Sequence, residues 1–105
     1  MQLVYIAGPY RADTISGVVA NIRRAEEVAA HYWRQGYAVI CPHKNTALMD
    51  GAVSDEVILE GCLEMLRRCD VVVMLESSWE RSAGSVAEYT EAERLGKKII
   101  YYKSL

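Results

Sequence analysis

The stretch that decides the fold is DVVVML, residues 70–75, in which an aspartate is followed by five apolar side chains. A strand that faces water on one side alternates between apolar and polar residues, and this stretch does not. A continuous apolar run of this length is typical of a strand covered on both faces, as in a parallel sheet flanked by helices. The stretch therefore predicts an α/β protein with helices on both sides of its sheet.

Strand and helix patterns alternate on either side of this stretch. Short β-rich runs end at Gly-Pro or at Pro, whereas longer segments repeat apolar residues at helical spacing and end at glycine. In the first of these longer segments, Tyr32 and Trp33 fall on the apolar side, and Arg23 and Arg24 on the polar side. The predicted elements, in order, are a strand at 3–7, a helix from Val18 that stops at Gly36, a strand at 38–41, a helix from the N-cap candidate Ser54 to Cys69, the strand at 70–75, a helix at 83–95 and a strand at 98–102.

This β-α-β-α-β-α-β order predicts a flavodoxin/Rossmann-like three-layer sandwich with a parallel four- or five-stranded sheet and right-handed crossovers. In such sheets, ligands bind beyond the carboxyl ends of the strands, where the strand order reverses. That edge comprises residues 8–13, 43–50 and 76–88. Residues 43–53 carry no sustained periodicity and are predicted to form a loop or an irregular excursion. Functional residues are expected in these stretches.

Composition and charge restrict the possible classes of function. The chain has 12 basic and 14 acidic side chains and a formal net charge of -2, whereas a nucleic-acid surface needs a basic excess on one face. No apolar run approaches the roughly 20 residues of a membrane span, and no export signal is recognised. Cys41, Cys62 and Cys69 form no CxxC pair, which is typical of reduced core thiols in a cytoplasmic protein.

The length of 105 residues corresponds to a single domain. A domain this small leaves much of its surface exposed and has little chain with which to enclose a ligand. A homo-oligomer, dimer or larger, whose subunits complete each other's pockets is therefore expected.

Glu88 is the most informative single residue. Ala92 and Leu95 lie at i+4 and i+7 from it, so its carboxylate falls in line with an apolar stripe and is expected to point inward. In the first turns of a helix the dipole favours an ionised carboxylate, which suits a nucleophile better than a proton donor. The alternative is an ordinary solvated glutamate near a helix N-terminus, and periodicity alone favours that alternative.

The segment SAGS, residues 82–85, opens the same helix. Hydroxyls and free backbone N–H groups at a helix N-terminus form a site for an anion such as a phosphate or a carboxylate. Ser82 or Ser85 could equally cap the helix. The GxxxxGK[ST] pattern of a P-loop and the GxGxxG fingerprint are both missing from the sequence, which disfavours ordinary NTPases and Rossmann dehydrogenases.

The loop after the first strand contributes Gly8, Tyr10 and Arg11 to the same edge. Gly8 permits close approach of the backbone to a ligand, Tyr10 can stack on a ring, and Arg11 can pair with a phosphate, although Gly-Pro after a strand is equally often only a turn. His43, just past the second strand, is a candidate substrate contact. No second pair of Cys or His has the spacing of metal ligands, so no metal is expected. Trp79 could cover a nucleobase or lie in a subunit interface.

Three segments together resemble the nucleoside 2-deoxyribosyltransferase superfamily: YIAGP at 5–9, LRRCDVVV at 66–73 and WERSAGSVAE at 79–88. The resemblance spans nearly the whole chain. In length and sequence motifs, the chain is most similar to small phage and bacterial transferase-like proteins of unassigned function. Among members with known activity, the 2'-deoxynucleoside 5'-monophosphate N-hydrolases are the most similar. Residues 1–105 are thus identified as a single nucleoside 2-deoxyribosyltransferase-like domain.

The resemblance implies a role for each matching residue. Glu88 matches the nucleophilic glutamate, and Tyr5 matches the tyrosine that helps to orient it. The ligand contacts of the hydrolases fall on five positions: the first-loop residues Gly8, Tyr10 and Arg11, and the phosphate-holding residues Ser82 and Gly84. Deoxyribosyltransferases tend to carry an aspartate where Ser82 stands, so the serine favours a nucleotide over a nucleoside.

One position departs from the pattern of the active relatives. Their second helix carries an aspartate where Cys62 stands here, and a thiol is a poor substitute for a carboxyl group that binds sugar or donates a proton. Either Glu76 or Asp13 serves as the acid instead, or catalysis is weakened or absent.

Together these features predict an N-glycosidase that cleaves the base–deoxyribose bond of a 2'-deoxynucleoside 5'-monophosphate or related nucleotide, with Glu88 attacking C1'. A second base in place of water would make the same site a deoxyribosyltransferase. The alternative from another class is a non-catalytic nucleotide-binding or regulatory module, which Cys62 favours. A phosphoacceptor receiver domain is not expected, since its aspartate lies at the carboxyl end of a strand and Asp70 begins one. The expected partner is a small-molecule nucleotide or nucleoside, with no cofactor, no nucleic acid and no membrane.

Overall fold

The structure, a computed structural model, describes residues 1–75 and 82–103. Glu76 and Trp79, two of the candidate functional residues, lie outside these described ranges. Within them the elements follow the predicted alternation, with one short helix added. In chain order they are β1 (Leu3–Ala7), α1 (Ile15–Arg34), β2 (Ala38–Ile40), α2 (Pro42–Asn45), α3 (Asp55–Arg67), β3 (Val71–Leu75), α4 (Ala83–Arg94) and β4 (Lys98–Tyr102).

The four strands form one parallel sheet in the order β2-β1-β3-β4. This confirms the predicted flavodoxin/Rossmann-like sandwich, with four strands rather than five. Because β2 lies on one side of β1 and β3 lies on the other, the strand order reverses between β1 and β3. The carboxyl ends of these two central strands therefore mark the position where a ligand site is expected.

Two apolar clusters hold the helices against the sheet. On one face, Ala25, Val28 and Tyr32 of α1 pack against alternate residues of β1 and β3. On the other face, Leu66 of α3 and Ala92 of α4 pack against the intervening strand residues. All five residues of β3 are buried, as its continuous apolar sequence predicted. The sheet thus lies between α1 on one face and α3 with α4 on the other.

The aspartate that begins the deciding stretch joins the two central strands. The Leu3 N–H donates to Asp70 Oδ2 over 2.8 Å, and the Asp70 N–H donates to the Leu3 carbonyl over the same distance. These two bonds align the start of β3 with the start of β1, so Asp70 is structural.

Side-chain caps define where the three long helices begin. Thr14, Ser54 and Ser82 each accept a hydrogen bond from the backbone N–H three residues later, which satisfies one of the N–H groups left free at a helix start. The predictions for Ser54 and Ser82 as N-caps are confirmed. Because Thr14 caps the first helix, α1 begins at Ile15, three residues before the predicted start at Val18.

Three local expectations are wrong. Part of the predicted irregular segment folds as α2, because Pro42 has the backbone angle that suits the first position of a helix. Trp33, expected on the apolar side of α1, is 56% exposed, because its neighbour Tyr32 occupies the buried position. Arg24, expected on the polar face, lies half-buried in the wall of a cavity.

Candidate active site

A cavity of about 900 Å³ opens at the carboxyl edge of the sheet, beside the point where the strand order reverses. Its volume lies within the range of small-molecule sites. The described parts of all three predicted stretches contribute to its walls, together with residues of α1 and the inner side of α3. The lining residues that concern the chemistry are Gly8, Tyr10, Arg11, Asp13, Asn21, Arg24, His43, Asp50, Asp55, Cys62, Ser82, Gly84, Ser85 and Glu88.

Glu88, which lines this cavity, is paired with Tyr5, which is fully buried in β1 behind it. The carboxylate of Glu88 is only 8% exposed, and the hydroxyl of Tyr5, at the centre of β1, donates a hydrogen bond to its Oε2. Burial raises the pKa of Glu88 to about 8, and the hydrogen bond from Tyr5 acts in the opposite direction. Glu88 therefore points inward, as predicted, but it is largely protonated at neutral pH, because burial outweighs the hydrogen bond from Tyr5.

Cys62 lies in the cavity wall next to this pair. Its thiol is buried, and burial followed by the charge of Glu88 raises its pKa, with a smaller opposite effect from the Tyr5 hydroxyl. A neutral thiol neither donates a proton as readily as a carboxyl group nor repels the Glu88 carboxylate. Cys62, where the resemblance implies an acid, is thus uncharged.

The start of α4 forms the wall on the β3 side. Ser82 Oγ accepts the N–H of Ser85 over 3.3 Å, so the capping role of this serine is fulfilled, while its hydroxyl hydrogen stays available to a ligand. A Cβ added to Gly84 would meet nothing within 4 Å, and the backbone there has no positive φ. Nothing in the described chain therefore requires glycine at position 84, which leaves open space beside the helix N-terminus.

The first loop crosses the cavity and is tied to its far side. Tyr10 Oη donates to Asp50 Oδ1 over 2.7 Å and accepts the N–H of Leu48 over 2.9 Å. Arg11 forms an ion pair with Asp55 at the start of α3, and both side chains are 66% exposed. The predicted ligand contacts Tyr10 and Arg11 thus already have protein partners, which a ligand would have to share or replace.

Gly8 is explained by packing at the end of β1. A Cβ at this position would lie 2.7 Å from Leu75 Cδ1, at the end of β3. The glycine therefore permits contact between the two central strands, which is a different reason from the predicted approach of a ligand.

His43 is the first-turn residue of α2 and is buried beside the first loop. Its Nε2 bonds to the carbonyl of Pro9 over 3.0 Å, and burial lowers its pKa. The ring is therefore neutral at pH 7, with Nε2–H as the donor and Nδ1 as a bare acceptor. Nδ1 has no hydrogen-bond partner.

Three cavity residues were missed by the sequence reasoning. Asn21 Nδ2 donates to the carbonyls of Tyr10 and Arg11, over 3.0 and 3.2 Å, and so attaches the first loop to α1. Arg24 Nη2 donates to Asn21 Oδ1 over 2.8 Å. Ser85, considered with residues 82–85 as an anion site or a cap but not named as a site residue by itself, has a buried Oγ without a partner. The sequence signal that could have identified them is i, i+3 spacing, which places Asn21 with Arg24, and Ser85 with Glu88, on the same face of a helix.

The described residues hold neither a cluster of metal ligands nor a helix that could cross a membrane. Among residues 1–75 and 82–103, no group of three or more His, Cys, Asp or Glu side chains is placed to hold a metal ion. No helix in these same ranges has the length and apolar character needed to cross a membrane.

Comparison with known proteins finds one matching family and solved structures of similar fold. Residues 2–101 match the family described as "Domain of unknown function (DUF4406)". A 2-deoxyribosyltransferase from Bacillus psychrosaccharolyticus has a TM-score of 0.69 and 19% identity, over 96% of this chain and 72% of that one. A 2-deoxyribosyltransferase from Leishmania mexicana has a TM-score of 0.69 and 23% identity, over 100% of this chain and 66% of that one. No curated protein matches the sequence. The three-layer sandwich is that of the 2-deoxyribosyltransferases, which confirms the resemblance at the level of the fold.

Proposed function

The chain belongs to the family described as "Domain of unknown function (DUF4406)", and we propose that it is an N-glycosidase that cleaves the base–deoxyribose bond of a 2'-deoxynucleoside 5'-monophosphate. One observation carries the proposal: Glu88, a buried carboxyl group held by Tyr5, lines the cavity at the carboxyl edge of the sheet. A buried carboxylate with a strongly shifted pKa in a cavity is typical of a catalytic group.

In the proposed reaction, ionised Glu88 attacks C1' of the deoxyribose through an oxocarbenium-like transition state. The C1'–N bond breaks, and the departing base takes its electron pair and a proton from an acid. Water then attacks C1' of the glycosyl-enzyme and gives a proton back to the ionised acid, the bond to Glu88 breaks with its electron pair, and the sugar phosphate is released. Tyr5 orients the carboxylate throughout. Asp13, an exposed acid of the cavity wall, is the proposed proton donor among the described residues.

The 5'-phosphate is proposed to lie at the start of α4. Free N–H groups at a helix N-terminus favour an anion, and Ser82 has a hydroxyl hydrogen to donate. The open space at Gly84 is proposed to accommodate the phosphate, and Arg11, which lines the same cavity, is proposed to exchange its exposed partner Asp55 for this dianion. These groups favour a nucleotide over a nucleoside.

A second candidate function is a non-catalytic nucleotide-binding or regulatory module. The neutral thiol of Cys62, at the position of an acid in the resembling enzymes, is the observation that favours it. A third outcome, deoxyribosyl transfer, needs a second base to replace water in the last step.

A second copy of the chain is proposed to complete the cavity. The segments that form the cavity carry six exposed apolar side chains: Ile15, Leu48, Met49, Val53, Val57 and Val86. Exposed apolar side chains on the segments that carry a site are typical of an interface between subunits. We therefore propose a homo-oligomer, dimer or larger. A cytoplasmic location is also proposed, supported by three cysteines that are all unpaired.

Incubation with each common dNMP and each deoxynucleoside, followed by chromatography of the free base, tests the function. Release from dNMPs only supports the hydrolase, and base exchange in the presence of a second base supports the transferase. Nucleotide binding without release from any substrate would contradict both and support the regulatory module.

A further inference from the structure

Three buried polar atoms in residues 1–75 and 82–103 have no hydrogen-bond partner, and all three belong to residues that line the same cavity. They are Arg24 Nε, His43 Nδ1 and Ser85 Oγ. Buried polar atoms are nearly always paired, because an unmade hydrogen bond costs about 1–3 kcal/mol. Because all three line one cavity, we infer that a ligand in this cavity supplies their missing hydrogen-bond partners.

Arg24 stands out among these groups because it carries a full charge. Among the described residues it forms no ion pair, whereas Arg11, Arg67, Arg68 and Arg94 each contact a carboxylate. The Nη2 group of Arg24 is held by Asn21, a neutral amide that leaves the charge uncompensated. A half-buried guanidinium without an anion or a set of acceptors is unfavourable. A ligand that presents acceptor atoms to Arg24 would remove this penalty.

His43 adds the opposite hydrogen-bonding character at the same place. Its Nε2–H is used by the carbonyl of Pro9, so the unpartnered Nδ1 can only accept. Arg24 and His43 line the same cavity, and the charge of Arg24 contributes to lowering the pKa of His43. Together they present a donor and an acceptor to the cavity.

This donor–acceptor corner and the start of α4 belong to elements on different sides of the sheet. His43 belongs to α2, which follows β2, and Arg24 belongs to α1, which packs on the sheet face opposite α4. In a nucleotide the 5'-phosphate and the base leave opposite ends of the sugar. A phosphate at the start of α4, with C1' next to Glu88, therefore directs the base towards this corner.

Resting on the proposed function, we propose that Arg24 and His43 recognise the nucleobase of the substrate: the Arg24 guanidinium donates to a ring nitrogen or keto oxygen at the base edge, and His43 Nδ1 accepts an N–H from that edge. Every common base presents both kinds of group on its edge. Arg24 is thus a base-binding residue, and its contact is to the base and not to the sugar phosphate.

The test compares ligands with and without a base. Affinities of the four common dNMPs and of 2-deoxyribose 5-phosphate are measured by calorimetry in a Glu88→Gln background, so that no base is released. Arg24→Met is expected to weaken dNMP binding by about tenfold or more, the effect of losing a hydrogen bond from a charged donor, and to leave 2-deoxyribose 5-phosphate unchanged. Arg23→Met, an exposed neighbour on the same helix, is the matched control and is expected to change neither.

Two further variants separate a contact from an effect on the fold. Arg24→Lys keeps the charge and is expected to recover part of the dNMP affinity. Asn21→Ala loosens the first loop, so a contribution of Arg24 through Asn21 would make this variant reproduce Arg24→Met. Three results would each overturn the inference and leave the proposed function intact. In the first, Asn21→Ala weakens dNMP binding as much as Arg24→Met does; in the second, Arg24→Met weakens binding of dNMP and of 2-deoxyribose 5-phosphate equally; in the third, Arg24→Met leaves both affinities unchanged. If the chain without the Arg24 change binds none of the dNMPs, the proposed function fails as well.

Discussion

Glu88 combines two requirements that oppose each other. A nucleophile must be ionised, but the burial that excludes water from Glu88 raises its pKa to about 8. Tyr5 moderates this conflict, since its hydroxyl bonds preferentially to the ionised carboxylate. The inward direction of Glu88 followed from helical periodicity. Its protonation could not be predicted, because periodicity gives the face of a helix but not the depth of burial.

The pKa of Glu88 makes the stability of the fold depend on pH. Its folded value of about 8 exceeds the reference value of 4.5, so the native state holds the proton more tightly. Stability from this group is fully present below about pH 4.5 and is lost as the pH rises towards 8. Glu88→Gln, which mimics the neutral form, is therefore expected to melt several degrees above the unchanged chain at about pH 9, with little difference at about pH 4. Calorimetric melting at both values checks this, and an equal difference at both would contradict the buried, shifted carboxyl group.

Tyr5 is expected to set the pH at which the site becomes active. In Tyr5→Phe the ring still fills the core, but the hydrogen bond that favours the ionised form of Glu88 is lost, so the pKa of Glu88 rises further. The midpoint of the pH–rate profile should move upward, and base release near pH 7 should fall about tenfold if the midpoint rises by about one pH unit. A uniform loss of rate at every pH, with an unmoved midpoint, would show that Tyr5 acts in another way.

At the scale of the element, a substitution in the first turn of α4 can distinguish an effect on folding stability from an effect on ligand binding. Gly84 has room for a Cβ and an ordinary backbone angle, so Gly84→Ala should leave stability unchanged or raise it by up to about 1 kcal/mol. The added methyl group occupies the proposed phosphate space, so affinity for 2-deoxyribose 5-phosphate should fall by about tenfold.

Gly61 is the matched control for this experiment. It lies on α3, is exposed, and also has nothing within 4 Å of an added Cβ. Gly61→Ala should bring the same gain in stability without a change in affinity. Unaltered binding by Gly84→Ala would contradict a phosphate site at the start of α4.

The long elements were predictable from local patterns, and the errors arose where tertiary contacts decide. The strands and the three long helices follow from apolar runs and helical spacing, and Ser54 and Ser82 cap as their residue types predict. The position of Arg24 depends on the cavity formed by the first loop and α2, which no pattern within α1 contains. The same holds for the Arg11–Asp55 pair, because it joins two elements distant in sequence.

At the scale of the whole molecule, the alternation of strands and helices predicted the sheet and the edge that holds the cavity. The small size of the chain predicted a site that a second copy completes, and this stays a prediction. Val86 and Leu95 allow a direct test, since both are 39% exposed, and they lie at opposite ends of α4.

Val86→Glu, next in sequence to the cavity residue Ser85, is expected to dissociate the oligomer and to lower base release by at least about tenfold, because a charge would be buried in the proposed interface. Leu95→Glu, at the remote end of the helix, is expected to change neither. Analytical ultracentrifugation with a parallel activity assay distinguishes the two. If the chain without substitutions is monomeric and fully active, a site shared between subunits is ruled out.

The most direct test of the central claim is the release of free base from dNMPs at about pH 8.5, where Glu88 is mainly ionised. It compares the unchanged chain, Glu88→Gln and Glu93→Gln, the last an exposed glutamate on the same helix. We predict base release by the unchanged chain and by Glu93→Gln, and a loss of at least about a thousandfold in Glu88→Gln, since removing a nucleophile costs several orders of magnitude. Release that survives in Glu88→Gln at a comparable rate would contradict the assignment of Glu88 as the nucleophile.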